Sequence, residues 1–243
     1  MKAGYVILKE TTRDPSKGGP IRVSRGDALT SEIITSSNEA SFQQQRQSDD
    51  VVAAAPPVAI KLVRPVAKEL DITPEESGET WGLQVTGVSS SPYTGKGVVV
   101  AVLDTGINAK HEAFEGLEII QKDFTGEGDE DEDGHGTHCA GTIFGQPVGG
   151  HHFGVAPGIE KALIAKVIGK DGGSNNSIVE AIDWVLEKGA DIISMSLGID
   201  FPGSVAYWKK RGFPDEVANS RALEGYLENV GLFSTLAGFF ERK

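Results

Sequence analysis

The stretch from Gly95 to Gly106, "GKGVVVAVLDTG", constrains the fold more than any other part of the chain. A strand covered on one face alternates apolar and polar residues. An unbroken apolar run closed by glycines instead reads as a strand buried on both faces, of the kind found in parallel sheets. Leu117–Phe124, Ala162–Ile168 and "GADIISMSLG" (Gly189–Gly198) give three further strands. Between the last two lies "SNNSIVEAIDWVLEKG", a marked amphipathic helix. Ser177 and Glu180 have capping-box spacing, Ile178, Ile182, Val185 and Leu186 share one face, and Gly189 sits at the stop. Strands alternating with helices predict an α/β protein: an open, mostly parallel sheet with helices on both faces. In such sheets functional side chains gather beyond the carboxyl ends of the strands.

The first 79 residues read differently, as a less regular N-terminal region. Residues 2–9 predict one strand. Residues 36–50, "SSNEASFQQQRQSDD", are Gln-rich and aperiodic, as a solvated linker would be. Residues 51–79 carry four prolines and no clean helical face. The expected division is therefore 1–79 and 80–243. Near the end, Leu223, Leu227 and Val230 are spaced like one helix face, against the helix-weakening Gly225, Gly231 and Gly238.

A net charge of −12 argues against nucleic acid or an anionic membrane as partner. No apolar run approaches the ~20 residues of a membrane span. The opening "MKAGYVILKETTRDP" does not read as an export signal, so compartment stays open. The single cysteine, Cys139, excludes an internal disulfide and a Cys-based zinc cage.

Two residues stand out chemically. Asp104 ends the buried run and is followed by Thr-Gly, which fixes and partly desolvates its carboxylate. His135, in "DEDGHGTHCAGT", enters a helix between two glycines. Such a pair suits an Asp–His couple, in which the carboxylate holds the imidazole and the imidazole acts as general base for a hydroxyl nucleophile. Taken singly, Asp104 also reads as a turn-former, and His135 with His138 as a helix start carrying a packed histidine.

In order and distance, "VAVLDTGINAKHEAF", "DGHGTHCAGT", "GVAPGI" and "ISMSLG" closely resemble the subtilisin-like serine peptidases, over roughly Trp81 to Gly203. The resemblance implies that Asp104 and His135 are the catalytic aspartate and histidine, and that His138 is structural. It implies that Ser196, Leu197 and Gly198 bind a peptide substrate by strand addition, with "KVIGKDGG" (Lys166–Gly173) along the other side of the cleft. It also implies a protein or peptide substrate, with oligomeric state left open. Relatives commonly carry an N-terminal propeptide, and residues 1–79 hold that place.

Two family elements have no counterpart here: the Gly-Thr-Ser-x-Ala string of the nucleophile and the Ala-Ala-Gly-Asn-like string of the oxyanion hole. Ser204 in "PGSVA" and Asn219 in "VANSRA" lack the flanking pattern. The expectation is a chain truncated before both, a serine endopeptidase by family but inactive alone. The alternatives are a non-catalytic peptide-binding module and, more distantly, a metal-dependent hydrolase built on His135 and His138. No cofactor is expected, with calcium the one case left open. The usual family calcium site looks degraded, with Ala113 where an acid would stand and Pro147, Val148 and Gly149 in the loop. The acidic run Glu127–Asp133 could attract a cation but reads more simply as a solvated loop.

Overall fold

The structure is a computed structural model that describes residues 4–12, 27–34, 39–64 and 78–240. Of the stretches read above, residues 1–3, 13–26, 35–38, 65–77 and 241–243 lie outside the described residues. The strands are β1 (Tyr5–Thr12), β2 (Asp27–Ile34), β3 (Val51–Ala55), β4 (Ala59–Leu62), β5 (Val99–Asp104), β6 (Glu118–Asp123), β7 (Lys161–Lys166), β8 (Ile168–Gly169), β9 (Gly172–Ser174), β10 (Ile192–Ser194) and β11 (Leu197–Ile199). The α-helices are α1 (Glu39–Gln45), α2 (Trp81–Thr86), α3 (His135–Phe144), α4 (Asn175–Glu187), α5 (Phe201–Lys210) and α6 (Asp215–Phe240).

The chain forms two compact units. One gathers the described residues of Met1–Lys61, Asp171–Glu187 and Gly198–Lys243, the other those of Leu62–Lys170 and Lys188–Leu197. The second unit holds the expected parallel sheet, in the order β10-β5-β7-β6. Register runs from Val99 opposite Lys161 to Asp104 opposite Lys166, and β10 joins with Ile192 opposite Val100. β5 is central, and Val100 to Asp104 are all buried, as an unbroken apolar run requires. α3 packs against β5, and Val100, Val102, Phe114, Ala140, Phe144 and Ile164 meet in one core.

The first unit has an antiparallel sheet, β2-β1-β3, with Tyr5 opposite Ile34 and Val6 opposite Ala55. Val6, Ile7 and Leu8 are fully buried, so β1 is its core strand. Residues 39–45, expected within a solvated linker, form α1. Its single apolar anchor, Phe42, is buried and stacks on Tyr5 with ring centroids 4.0 Å apart. The proline-containing stretch that follows likewise yields β3 and β4, and β4 lies between β9 and β11.

α4 begins two residues earlier than its expected capping box. Ser174, not Ser177, does the capping: its Oγ accepts the Ser177 N–H at 3.3 Å. Gly189 closes the following turn at φ 82°, as expected. α6 is one continuous helix, but Leu223, Leu227 and Val230 face solvent. Ala218, Ala222, Asn229, Leu232 and Leu236 are the buried positions. Among the described residues no helix is long and apolar enough to cross a membrane.

Candidate active site

The second unit's site is assembled where β5 ends and α3 begins. Asp104, the last residue of β5, is fully buried, and its Oδ1 accepts the Thr105 N–H at 2.8 Å. The same oxygen lies 2.8 Å from Nδ1 of His135, whose side chain is only 9% exposed. Close approach of helix and strand depends on Gly136. A Cβ there would collide with the Gly106 carbonyl and crowd Thr105 Oγ1 and Asp104 Cβ. Gly134, at φ 86°, lets the chain turn into the helix immediately before the histidine.

Asp131 holds the two elements together. Its Oδ1 accepts from Thr105 Oγ1 at 2.7 Å and the Gly134 N–H at 2.9 Å. Its Oδ2 accepts from the Thr137 N–H at 2.8 Å and the Thr137 hydroxyl at 2.6 Å. Thr105 Oγ1 in turn accepts the Gly136 N–H at 2.9 Å. One carboxylate thus serves as the missing cap of α3, where free N–H groups and the helix dipole favour an anion. Burial acts to raise its pKa, but the hydrogen bonds from Thr137, Thr105 and Gly134 outweigh that and hold it below the usual aspartate range. The run Glu127–Asp133 is exposed, as a solvated loop would be, except at half-buried Asp131. Asp123 is likewise spent on Thr125 and Gly128, and Glu132 pairs with Lys170.

His135 presents Nε2 to the Val63 carbonyl at 3.2 Å. Both ring nitrogens therefore face acceptors, which favours the imidazolium. Desolvation lowers the histidine pKa, but the bond and charge of Asp104, with the Val63 carbonyl, prevail and set it above 6.5. Among the described residues no hydroxyl is bonded to Nε2. Cys139 lies one turn along α3 with Sγ 3.7 Å from Nδ1, and burial pushes its pKa up. It sits on the aspartate side of the ring, as a protonated thiol.

The strand-binding residues are placed in part. The Ser196 carbonyl accepts the Val63 N–H at 3.0 Å, the kind of backbone bond that peptide addition would use. Leu197 and Gly198 are half-buried and open β11. Ser204 lies in α5 with its hydroxyl donated to the Asp200 carbonyl. Asn219 lies in α6 with its amide donated to the Asp215 carbonyl. Neither is built as a nucleophile or an oxyanion donor. His138 is exposed rather than packed and, with His111 and Trp81, borders a cavity of about 490 Å³. Among the described residues the metal-ligand atoms that cluster within 4.8 Å belong to Asp104, His135 and Cys139, without His138.

Residues 95–229 match the subtilase family. That is more than half of the chain, and the protein belongs to this family. It is 33% identical to subtilisin-like protease 6 of Trichophyton schoenleinii over 158 residues, covering 56% of this chain and 38% of that protein. It is 39% identical to subtilisin-like protease 2 of Pseudogymnoascus destructans over 134 residues, covering 50% of this chain and 32% of that protein. The chain thus spans well under half the length of these curated relatives. Its fold is like that of fervidolysin from Fervidobacterium pennivorans, a keratinolytic enzyme related to subtilisin. The TM-score is 0.54 at 22% identity, over 81% of this chain and 36% of that one.

Proposed function

We propose that this chain carries the acid–base half of a serine endopeptidase acting on protein or peptide substrates. The observation that carries this reading is the bond between fully buried Asp104 and Nδ1 of His135, with Nε2 on the other side of the ring against the Val63 carbonyl. Asp104 orients the ring and stabilises the imidazolium. His135 Nε2 takes the proton of a serine hydroxyl as that oxygen attacks the peptide carbonyl, and returns it to the leaving amine. Among the described residues no such hydroxyl reaches Nε2, so the chain is expected to be inactive by itself.

The Val63 carbonyl at Nε2 and the Val63 N–H on the Ser196 carbonyl support a further point. Val63 occupies the position of a substrate residue, so the N-terminal region acts as an internal inhibitor. The same Ser196 bond favours a second reading, a peptide-binding module without catalysis.

Calcium is not part of the proposal. Ala113 is buried beside Phe114 and offers no side-chain oxygen.

The two readings are separated by fusing to residue 243 a downstream subtilase segment that carries the Gly-Thr-Ser-x-Ala string. The fusion should react with a fluorophosphonate probe and cleave casein, and His135→Ala should abolish both. The unfused chain should do neither. A folded fusion that binds peptide but never labels would leave the binding-module reading standing.

A further inference from the structure

The first unit contains a cavity of about 470 Å³ that the peptidase reading does not use. That volume lies within the range of small-molecule sites, roughly 300–1,000 Å³. Its apolar wall comes from Pro56, Val58, Ala222 and the rings of Tyr207 and Trp208. Arg211 and Arg221 also line it, and both lie on aromatic faces. The Arg211 guanidinium is 4.6 Å from the Tyr207 ring centre. That of Arg221 is 4.9 Å from Trp208 and 4.8 Å from Phe213. Stacking fixes the plane of a guanidinium and leaves its N–H edge free for a planar anion.

These two cations are free for such a partner. Arg46, Lys61 and Lys209 each meet a carboxylate, from Glu228, Asp200 and Asp215. Among the described residues neither Arg211 nor Arg221 forms an ion pair or a hydrogen bond with an acid. Two carboxylates, Glu39 and Asp171, also line the cavity, and both are exposed. A ligand with one anionic end and an apolar body would reach the arginines and spare the acids. A dianion would meet repulsion from them.

We propose that this cavity binds a small monocarboxylate with an aromatic or aliphatic body, its carboxylate on Arg211 and Arg221 and its body against Trp208 and Pro56. Pro56 and Val58 come from the N-terminal region, and Trp208 and Ala222 from α5 and α6. Occupancy therefore ties those segments together within the first unit and raises its thermal stability.

The test uses the whole chain and 3-phenylpropionate as probe, followed by calorimetric titration and thermal melting. Binding with a dissociation constant on the order of a millimolar or tighter is expected for a ligand of this size, together with a raised melting temperature. The uncharged 3-phenylpropionamide should bind about tenfold more weakly or worse, as should the acid to Arg211→Gln, because a charge-assisted bond is lost. Gly225→Leu projects a side chain into the cavity from one of its lining positions. Its Cβ would sit 3.5 Å from Pro56 Cγ and 3.9 Å from Val58 Cγ1, and leucine suits the helix better than glycine. That variant should melt no lower than the wild type and fail to bind. Equal binding of acid and amide, unchanged binding to Gly225→Leu, or no saturable binding would each overturn the proposal.

Discussion

Asp131 Oδ2 accepts both the backbone N–H and the hydroxyl of Thr137, at 2.8 and 2.6 Å. Its other oxygen accepts from Thr105 and Gly134, so one carboxylate joins the end of β5 to the start of α3. Asp131→Ala strands these donors, two of them helix-end N–H groups, and should destabilise the second unit by about 2–3 kcal/mol, read by urea denaturation. Asp129→Ala, at an exposed position two residues away, should stay within about 0.5 kcal/mol of wild type. Equal effects would show that Asp131 is an ordinary loop acid. Because the folded pKa of Asp131 is lowered, its contribution is complete above the ordinary aspartate value of 3.8 and is lost as pH falls through the folded value. The difference between wild type and Asp131→Ala should therefore shrink on acidification below about pH 4.

His135 titrates in the opposite sense. Its folded pKa stands above 6.5, so the stability it adds is fully present below 6.5 and is lost as pH rises through the folded value. Proton NMR should find the His135 ring resonances titrating above 6.5. Asp104→Asn removes the charge that holds the proton and should move that midpoint downward. A midpoint indifferent to Asp104→Asn would break the link between the two residues. In a complemented enzyme the general base must be unprotonated, so activity should rise with pH through the same midpoint.

The sequence showed the sheet because buried strands leave a composition signal that needs no partner to be seen. Gly95–Gly106 became β5, and Asp104 and His135 met at 2.8 Å. Three features were hidden for physical reasons. α1 depends on one residue, Phe42, packed on Tyr5 far away in sequence, so no periodicity announces it. Asp131 acts on backbone N–H groups and on two threonines that only the fold brings near, and among neighbouring acids nothing marks it out. In α6 the leucine stripe faces water while Ala218, Ala222 and Gly225 line the packed face. The buried side mixes small and large residues, Ala218, Ala222, Asn229, Leu232 and Leu236, so a search for the obvious leucine stripe picks out the wrong face.

Cys139 lies beside the histidine yet is unsuited to replace the missing hydroxyl. Burial raises its pKa above 9.0, where a thiolate at neutral pH is scarce, and its sulfur neighbours Nδ1 rather than Nε2. Its reaction with a disulfide reagent at pH 7 should be at least about tenfold slower than that of an unfolded control. Cys139→Ser should leave phosphonate labelling of a complemented enzyme intact. Fast modification of the folded chain, or loss of labelling in Cys139→Ser, would assign the thiol a chemical role.

Asn175 and Asn229, both fully buried, form the polar centre of the first unit. Asn175 Nδ2 donates to Asn229 Oδ1 at 2.7 Å, and both amides donate to the Pro56 carbonyl, at 2.9 and 3.0 Å. Asn229 also donates to the Gly225 carbonyl within α6. In a dry setting, removing one partner leaves the other's polar groups without water, so Asn229→Ala should cost about 2–3 kcal/mol. Asn175→Ala loses the same bond together with the support that Asn175 Oδ1 gives to the Val58 N–H, and should cost a similar amount. The two losses overlap. A double-mutant cycle should therefore show a coupling of about 1 kcal/mol or more, with the double variant less destabilised than the sum of the single ones. Strict additivity in urea denaturation would mean that the two side chains pack independently and that the shared Pro56 carbonyl does not connect them.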